Sequence, residues 1–237
     1  MIQFGNNEIK EVHYNGYTID KIYACGGELV YSAETPSYGR KLLLKYTNGD
    51  EYSIDCNGQS ENLTMNDTTP EGKDYTAVSS ATIGDCVTYV GANAFYSFSG
   101  MTNVLIPNSV TTIATNAFTQ CSALNEISLP NSLKQLGESS FKHCSSLESV
   151  TIPSGVTQIR DEAFNYCTSL TAITCLATTP PTMVGTQHII DEQVVTTYSQ
   201  FEYTNNCPIY VPQESVDSYK SATGWDVYSN RIQAILP

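Results

Sequence analysis

VTYVGANAFYSFSGMTNVLIPNS (87–109), VTTIATNAFTQCSALNEISLPNS (110–132), LKQLGESSFKHCSSLESVTIPSG (133–155) and VTQIRDEAFNYCTSLTAITCLAT (156–178) align without a gap as copies of one 23-residue unit. Seven columns stay apolar in every copy, among them Phe95/Phe118/Phe141/Phe164 and Val104/Ile127/Val150/Ile173, while the residues between them change size and charge. One such unit cannot bury its apolar side chains alone. Stacked copies can share a continuous core, which is the logic of a solenoid.

Within each unit the wording assigns local structure. The L-x-x-I-x-I-P phrase (Leu124 to Pro130, Leu147 to Pro153) predicts a short strand closed by proline, V-T-x-I predicts a second strand, and A-F-x-x-C predicts a turn of helix or 3₁₀. This phrase resembles the BspA-type leucine-rich repeats of bacterial surface and secreted proteins, over Ile83 to Thr178. Copy one departs with Phe98 and Met101, and copy four with Cys175 and Leu176, as terminal copies of an array do. The expected fold is mainly β: a short leucine-rich-repeat solenoid of four coils with helical or 3₁₀ turns, preceded by small β-hairpin modules and closed by a C-terminal α/β cap.

Outward from the repeats the chain divides further. Residues 1–35 read as a β meander, three strands around Asn15-Gly16 and Gly26-Gly27, serving as a docking module. Residues 36–82 read as a hairpin turning at Asn48-Gly49, then a polar linker leading into a solenoid of residues 83–178. Residues 179–206 keep no repeat register and read as an insertion loop or hairpin. Residues 207–237 read as the cap, with Trp225 as its anchor. The phrase from Ile9 to Tyr31 resembles a small β module at the start of structural proteins from phages of gut bacteria, which implies a virion component whose solenoid faces host or mucosal surfaces.

The 237 residues carry 11 Lys+Arg against 24 Asp+Glu, a net charge of −13, with only 15% charged residues. That balance repels phosphate backbones and anionic headgroups, so nucleic acid is excluded as a partner. No apolar run is long enough to span a bilayer, so no membrane insertion is expected. The opening residues lack the basic start and apolar run of a secretion signal. Either an export signal is missing from this sequence or the protein is assembled in a cytoplasm, and the two readings are a bacterial cell-surface or secreted adhesin and a virion protein.

Eight cysteines include no C-x-x-C pair, which argues against zinc or a thioredoxin-like centre. Their even number permits disulfides in a secreted context. Cys121, Cys144 and Cys167, spaced by 23, read as buried thiols behaving as small hydrophobes. No hydrolase, nucleotide-binding or metalloprotease pattern occurs, so no catalytic residue, metal or cofactor is expected. His143 stands in a variable column and reads as solvated; Asp161-Glu162 and Asp191-Glu192 read as solvated charge. The candidate binding residues flank the central apolar position of each predicted strand: Asn103, Leu105, Glu126, Ser128, Ser149, Thr151, Ala172 and Thr174. They form a flat, mostly uncharged face suited to a host protein or glycan. Other virion proteins would engage the N-terminal module, and a homo-oligomer is compatible with both.

Overall fold

The computed structural model describes the strand backbones at 12–14, 17–19, 24–25 and 28–29, and residues 39–56, 61–190 and 193–236. Seven apolar columns per coil need walls on more than one side, and the chain supplies two of them as sheets. The V-T-x-I strands build a parallel sheet. In spatial order it runs Glu61–Leu63, Val87–Val90, Thr112–Ile113, Gln135–Leu136, Gln158–Arg160 and Thr182–Val184. Val90, Ile113, Leu136 and Ile159 lie side by side in register and are fully buried.

The L-x-x-I-x-I strands build the other wall, in two sheets. Asn103–Leu105 pairs with Val78–Ile83, which pairs in turn with the antiparallel hairpin Arg40–Tyr46/Glu51–Asp55. Ser149–Ile152, Ala172–Cys175, Ile209–Val211 and Ile232–Ala234 form the second. Residues 125–130 lie between them and make no strand ladder, so this wall is discontinuous where a strand is expected at Leu124 to Pro130.

The A-F-x-x-C segments are neither helix nor 3₁₀. They are consecutive turns, with left-handed residues at Asn93/Ser97, Asn116/Gln120, Ser139/His143 and Glu162/Tyr166, all at φ between 54° and 64°. Such corners break any helical ladder. Amides point along the solenoid axis instead: Phe95 N–H donates to Ala117 C=O at 2.7 Å, Phe118 to Ser140 at 2.8 Å and Phe141 to Ala163 at 2.8 Å. Beneath these turns the phenyl rings of Phe95, Phe118, Phe141 and Phe164 stack 5.0, 5.1 and 5.3 Å apart, within 5° of parallel.

The array extends beyond both of its expected ends. Ser80, Ala81 and Thr82 pair with Asn103, Val104 and Leu105, again 23 residues on, so the stretch expected as a linker supplies a coil of its own. That stretch holds the short helix Met65–Thr68, capped by Thr64 and Asp67, and the 3₁₀ turn Tyr75–Ala77. At the other end Met183 pairs with Ile159, Phe201 stacks 6.0 Å from Phe164, and Ile209 pairs with Ile173. Residues 179–206 therefore continue the coil, interrupted by the hairpin Thr186–Ile190/Gln193–Thr197. Where a three-stranded meander is expected, the described residues form two two-stranded ladders, Val12–Tyr14/Tyr17–Ile19 and Ala24–Cys25/Glu28–Leu29, and the rest of 1–35 lies outside the described residues.

Beyond Val211 the helix Val216–Ser221 and the following turn lay Trp225 and Tyr228 over Phe201, with Tyr219 packed edge-on against Trp225. Each polar tip is satisfied: Trp225 Nε1 donates to Pro181 C=O, Tyr219 OH to Ala177 C=O and Tyr228 OH to Tyr198 C=O, at 2.8–2.9 Å. Gly224 sits at φ +84°, where a Cβ would meet Met183 Cβ at 2.5 Å. Arg231 is buried and spends its guanidinium on Cys207 C=O, Phe201 C=O and Thr204 Oγ1. A disulfide joins Cys56, at the end of the hairpin Arg40–Tyr46/Glu51–Asp55, to Cys86, just before Val87–Val90.

Candidate functional site

The strand-face residues lie where their alternation places them, outside the core, but not on one continuous surface. Ser149 faces Ala172 and Thr151 faces Thr174 across one sheet. Asn103 and Leu105 sit in the other sheet, beside Ser80 and Thr82. Glu126 and Ser128 occupy the gap between them. All are exposed except Ala172 and Thr174, which are half-buried. Leu105, 58% exposed, is the one large apolar side chain among them. The face is flat, with no convergent polar groups, and offers contact area rather than a site.

Around the corner the surface is concave. A groove of about 470 Å³ runs along the left-handed turns, lined by Thr76, Ser97, Ser99, Gln120, Ser122, His143 and Ser145. Two columns build it: Ser97/Gln120/His143, whose positive φ turns each side chain outward, and Thr76/Ser99/Ser122/Ser145. Ser97 Oγ donates to Gln120 Oε1 at 2.6 Å across one coil step. The hydroxyls of Ser122 and Ser145 reach the carbonyls of Ser99 and Ser122 at 3.5 Å, at the limit of a hydrogen bond.

The first column continues past the groove as a stack of rings. His143 lies 4.6 Å from Tyr166, and Tyr166 lies 4.3 Å from Tyr203, near-parallel. Tyr166 and Tyr203 are 38% and 60% exposed. The neighbouring Tyr166 raises the Tyr203 phenol above its ordinary range. His143 was expected to be simply solvated; it is half-buried and held against a tyrosine. Tyr203 was hidden from the repeat because the inserted hairpin puts it 37 residues after Tyr166 instead of 23.

The other singled-out groups have structural work. The thiols of Cys121, Cys144 and Cys167 are buried and donate to the carbonyls of Phe95, Phe118 and Phe141 at 3.1–3.2 Å. Burial pushes the Cys121 and Cys144 thiols well above their ordinary range. Asp161 is not solvated: its buried carboxylate accepts from Thr186 N–H at 3.1 Å, Thr186 Oγ1 and Ser199 N–H at 2.9 Å, tying down both feet of the hairpin. Glu162 pairs with Lys142 at 2.6 Å. Asp191 and Glu192 lie outside the described residues. At the N-terminal coil, Lys41 pairs with Glu61 at 3.0 Å and Asp67 at 3.1 Å. Desolvation alone would lower its pKa, but the hydrogen bonds and the charges of the two carboxylates together raise it.

Stacked parallel strands, a buried phenylalanine ladder and a 23-residue step define a leucine-rich-repeat solenoid. In agreement, residues 74–180 match the family described as BspA type leucine rich repeat region, in six copies. The solved structures it resembles include the pneumococcal vaccine antigen PcpA (17% identity, TM-score 0.51), with 82% of this chain and 48% of that one covered. A leucine rich cell surface protein from Faecalibacterium prausnitzii is 28% identical, with TM-score 0.46, over 71% of this chain and 36% of that one. A leucine-rich repeat protein from Bacteroides ovatus is 22% identical, with TM-score 0.42, over 74% and 50%. The chain thus spans no more than half the length of these neighbours. No curated protein matches its sequence.

Proposed function

We propose that this chain is a non-enzymatic adhesion module of the bacterial cell surface or its secretions, engaging host protein or glycan through the sides of its solenoid. The observation that carries the location is the Cys56–Cys86 disulfide. Disulfides persist in oxidising compartments and are rare where glutathione keeps thiols reduced, which favours an exported protein over one assembled in a cytoplasm. The binding role is supported by two surfaces poor in charge, the strand face with Glu126 as its one carboxylate and the groove with none in its lining, in a chain whose net charge is −13. The repeat family is compatible with the same role. Residues 212–231 act as the end cap over Phe201, and residues 1–35 attach the module to its carrier. Attachment to a phage particle finds no support in the comparisons.

Peptide mass spectrometry, run in parallel on washed cell envelopes, culture supernatant and gradient-purified phage particles, tests this reading. Peptides in the envelope or supernatant, with the Cys56 and Cys86 peptides recovered as one disulfide-linked pair, are expected. Stoichiometric peptides in the particle fraction, or Cys56 and Cys86 thiols that alkylate without prior reduction, overturn it.

A further inference from the structure

We infer that the groove along the left-handed corners takes a neutral, linear glycan, a proposal that rests on the reading of the solenoid as a binding surface. The lining is all hydroxyl, amide and imidazole: Thr76, Ser97, Ser99, Gln120, Ser122, His143 and Ser145. A chain with 24 acidic and 11 basic residues keeps every one of them off these walls. An anionic ligand would find no cation there and a net negative molecule around it. An extended peptide binds through a sheet edge or pockets for alternate side chains, and this groove has neither.

What the walls do offer is repeated, under-used hydrogen-bonding capacity. Each serine hydroxyl provides one donor and two acceptor positions, and those of Ser122 and Ser145 are engaged only at 3.5 Å. The Gln120 amide accepts from Ser97 through Oε1, and its nitrogen makes no hydrogen bond among the described residues. The spacing matters as much as the chemistry. Successive coils are 5.0 and 5.1 Å apart at the phenylalanines beneath the groove, close to the length of one pyranose unit, so a linear sugar chain laid along the axis meets a hydroxyl of the Thr76/Ser99/Ser122/Ser145 column at each residue.

Aromatic rings bracket the run. Tyr75, adjoining Thr76 and 36% exposed, leans on Phe98 at 5.4 Å at the N-terminal end. The His143–Tyr166–Tyr203 stack continues the same column at the other. Tyrosines supply rigid area with an apolar body and a polar tip, the combination that meets both the C–H faces and the hydroxyls of a sugar.

The test uses the full chain, labelled for amide NMR, titrated to millimolar concentrations with neutral linear hexasaccharides of glucose, mannose and xylose, and with a heparin hexasaccharide as the acidic comparator. The expected result is saturable shifts from at least one neutral sugar, confined to Ser97–Gly100, Gln120–Ser122 and His143–Ser145, with none from heparin. Ser122→Trp, which fills the groove from its surface, and Gln120→Ala should each weaken that binding tenfold or more, whereas Ile189→Ser on the exposed hairpin should leave it unchanged. The proposal is overturned if no neutral sugar shifts these amides, if the shifts centre on Leu105 and Thr151, or if Ser122→Trp binds like the parent. Adherence of bacteria displaying the chain separates the two readings. Adherence that survives Ser122→Trp keeps the adhesin and removes the groove, and its absence in the parent removes the adhesin itself.

Discussion

Cys144 shows why a small thiol recurs every coil. Its S–H donates to Phe118 C=O at 3.2 Å, a carbonyl that already accepts from Cys121 N–H at 3.3 Å, so the thiol fills the second acceptor position of a buried carbonyl at the left-handed corner. Alanine would remove this second donor and leave the carbonyl with its bond from Cys121 N–H, at a cost of about 0.5–1.5 kcal/mol for the lost hydrogen bond. The burial of this column was legible from its apolar register, but the donor role was not, because it depends on corners whose positive φ no composition reveals. The raised thiol pKa values have a direct consequence. A folded-state pKa far above the ordinary value of about 8.5 keeps these groups protonated at pH 8. Iodoacetamide at that pH should therefore spare Cys121 and Cys144 in the native protein and modify both in guanidinium. Modification of either under native conditions, read by peptide mass spectrometry, would show that the core opens at the corner turns.

At the scale of elements, the hairpin Thr186–Ile190/Gln193–Thr197 is an excursion from a coil that closes without it. Met183 before it and Phe201 after it both stack on the preceding coil, and the hairpin's Ile189 and Val194 are 81% and 66% exposed. Register at period 23 failed here because the insertion displaced the matching aromatic, even though Phe201 and Cys207 stood in the sequence in the right order. Asp161 is the clamp, so Asp161→Ala should free both feet and raise the rate of proteolysis within 186–197. The N–H groups of Thr186 and Ser199 would lose their carboxylate acceptor, costing about 0.5–1.5 kcal/mol each. Replacing residues 187–196 by a short glycine linker should instead leave the melting temperature within a few degrees of the parent, because no described side chain of 187–196 lies in the core. A collapse of the melting transition in that variant would mean the hairpin braces the coil rather than hanging from it.

Across the whole molecule, stability depends on the ends, since a solenoid shares its core only between neighbours. At the C-terminal end Trp225, the residue singled out in the sequence, is fully buried between Phe201 and Tyr219. The N-terminal end was not legible in the sequence: Thr64 to Ser80 is polar and turn-rich, and its few apolar residues reveal their purpose only when Ala81 is seen paired with both Leu44 and Val104. Leu42, Leu44, Leu63 and Val78 are fully buried against the first coils. Each contributes about 1.5–3 kcal/mol, so together they supply about 6–12 kcal/mol, as much as the entire stability of an ordinary domain at about 5–15 kcal/mol. A chain beginning at residue 81 should therefore aggregate, and a soluble, cooperatively melting product would show that the repeats need no N-terminal seal. The disulfide holds that seal across a separation of 30 residues. Closing a loop of that length removes about 3–4 kcal/mol of unfolded-state entropy. The double variant Cys56→Ser/Cys86→Ser should accordingly lower the urea midpoint with a slope no shallower than the parent's, since the unfolded chain freed of its crosslink exposes at least as much surface. A midpoint that stays put would mean the hairpin docks through its leucines alone, and the thiol pair would then mark only the compartment in which the chain matures.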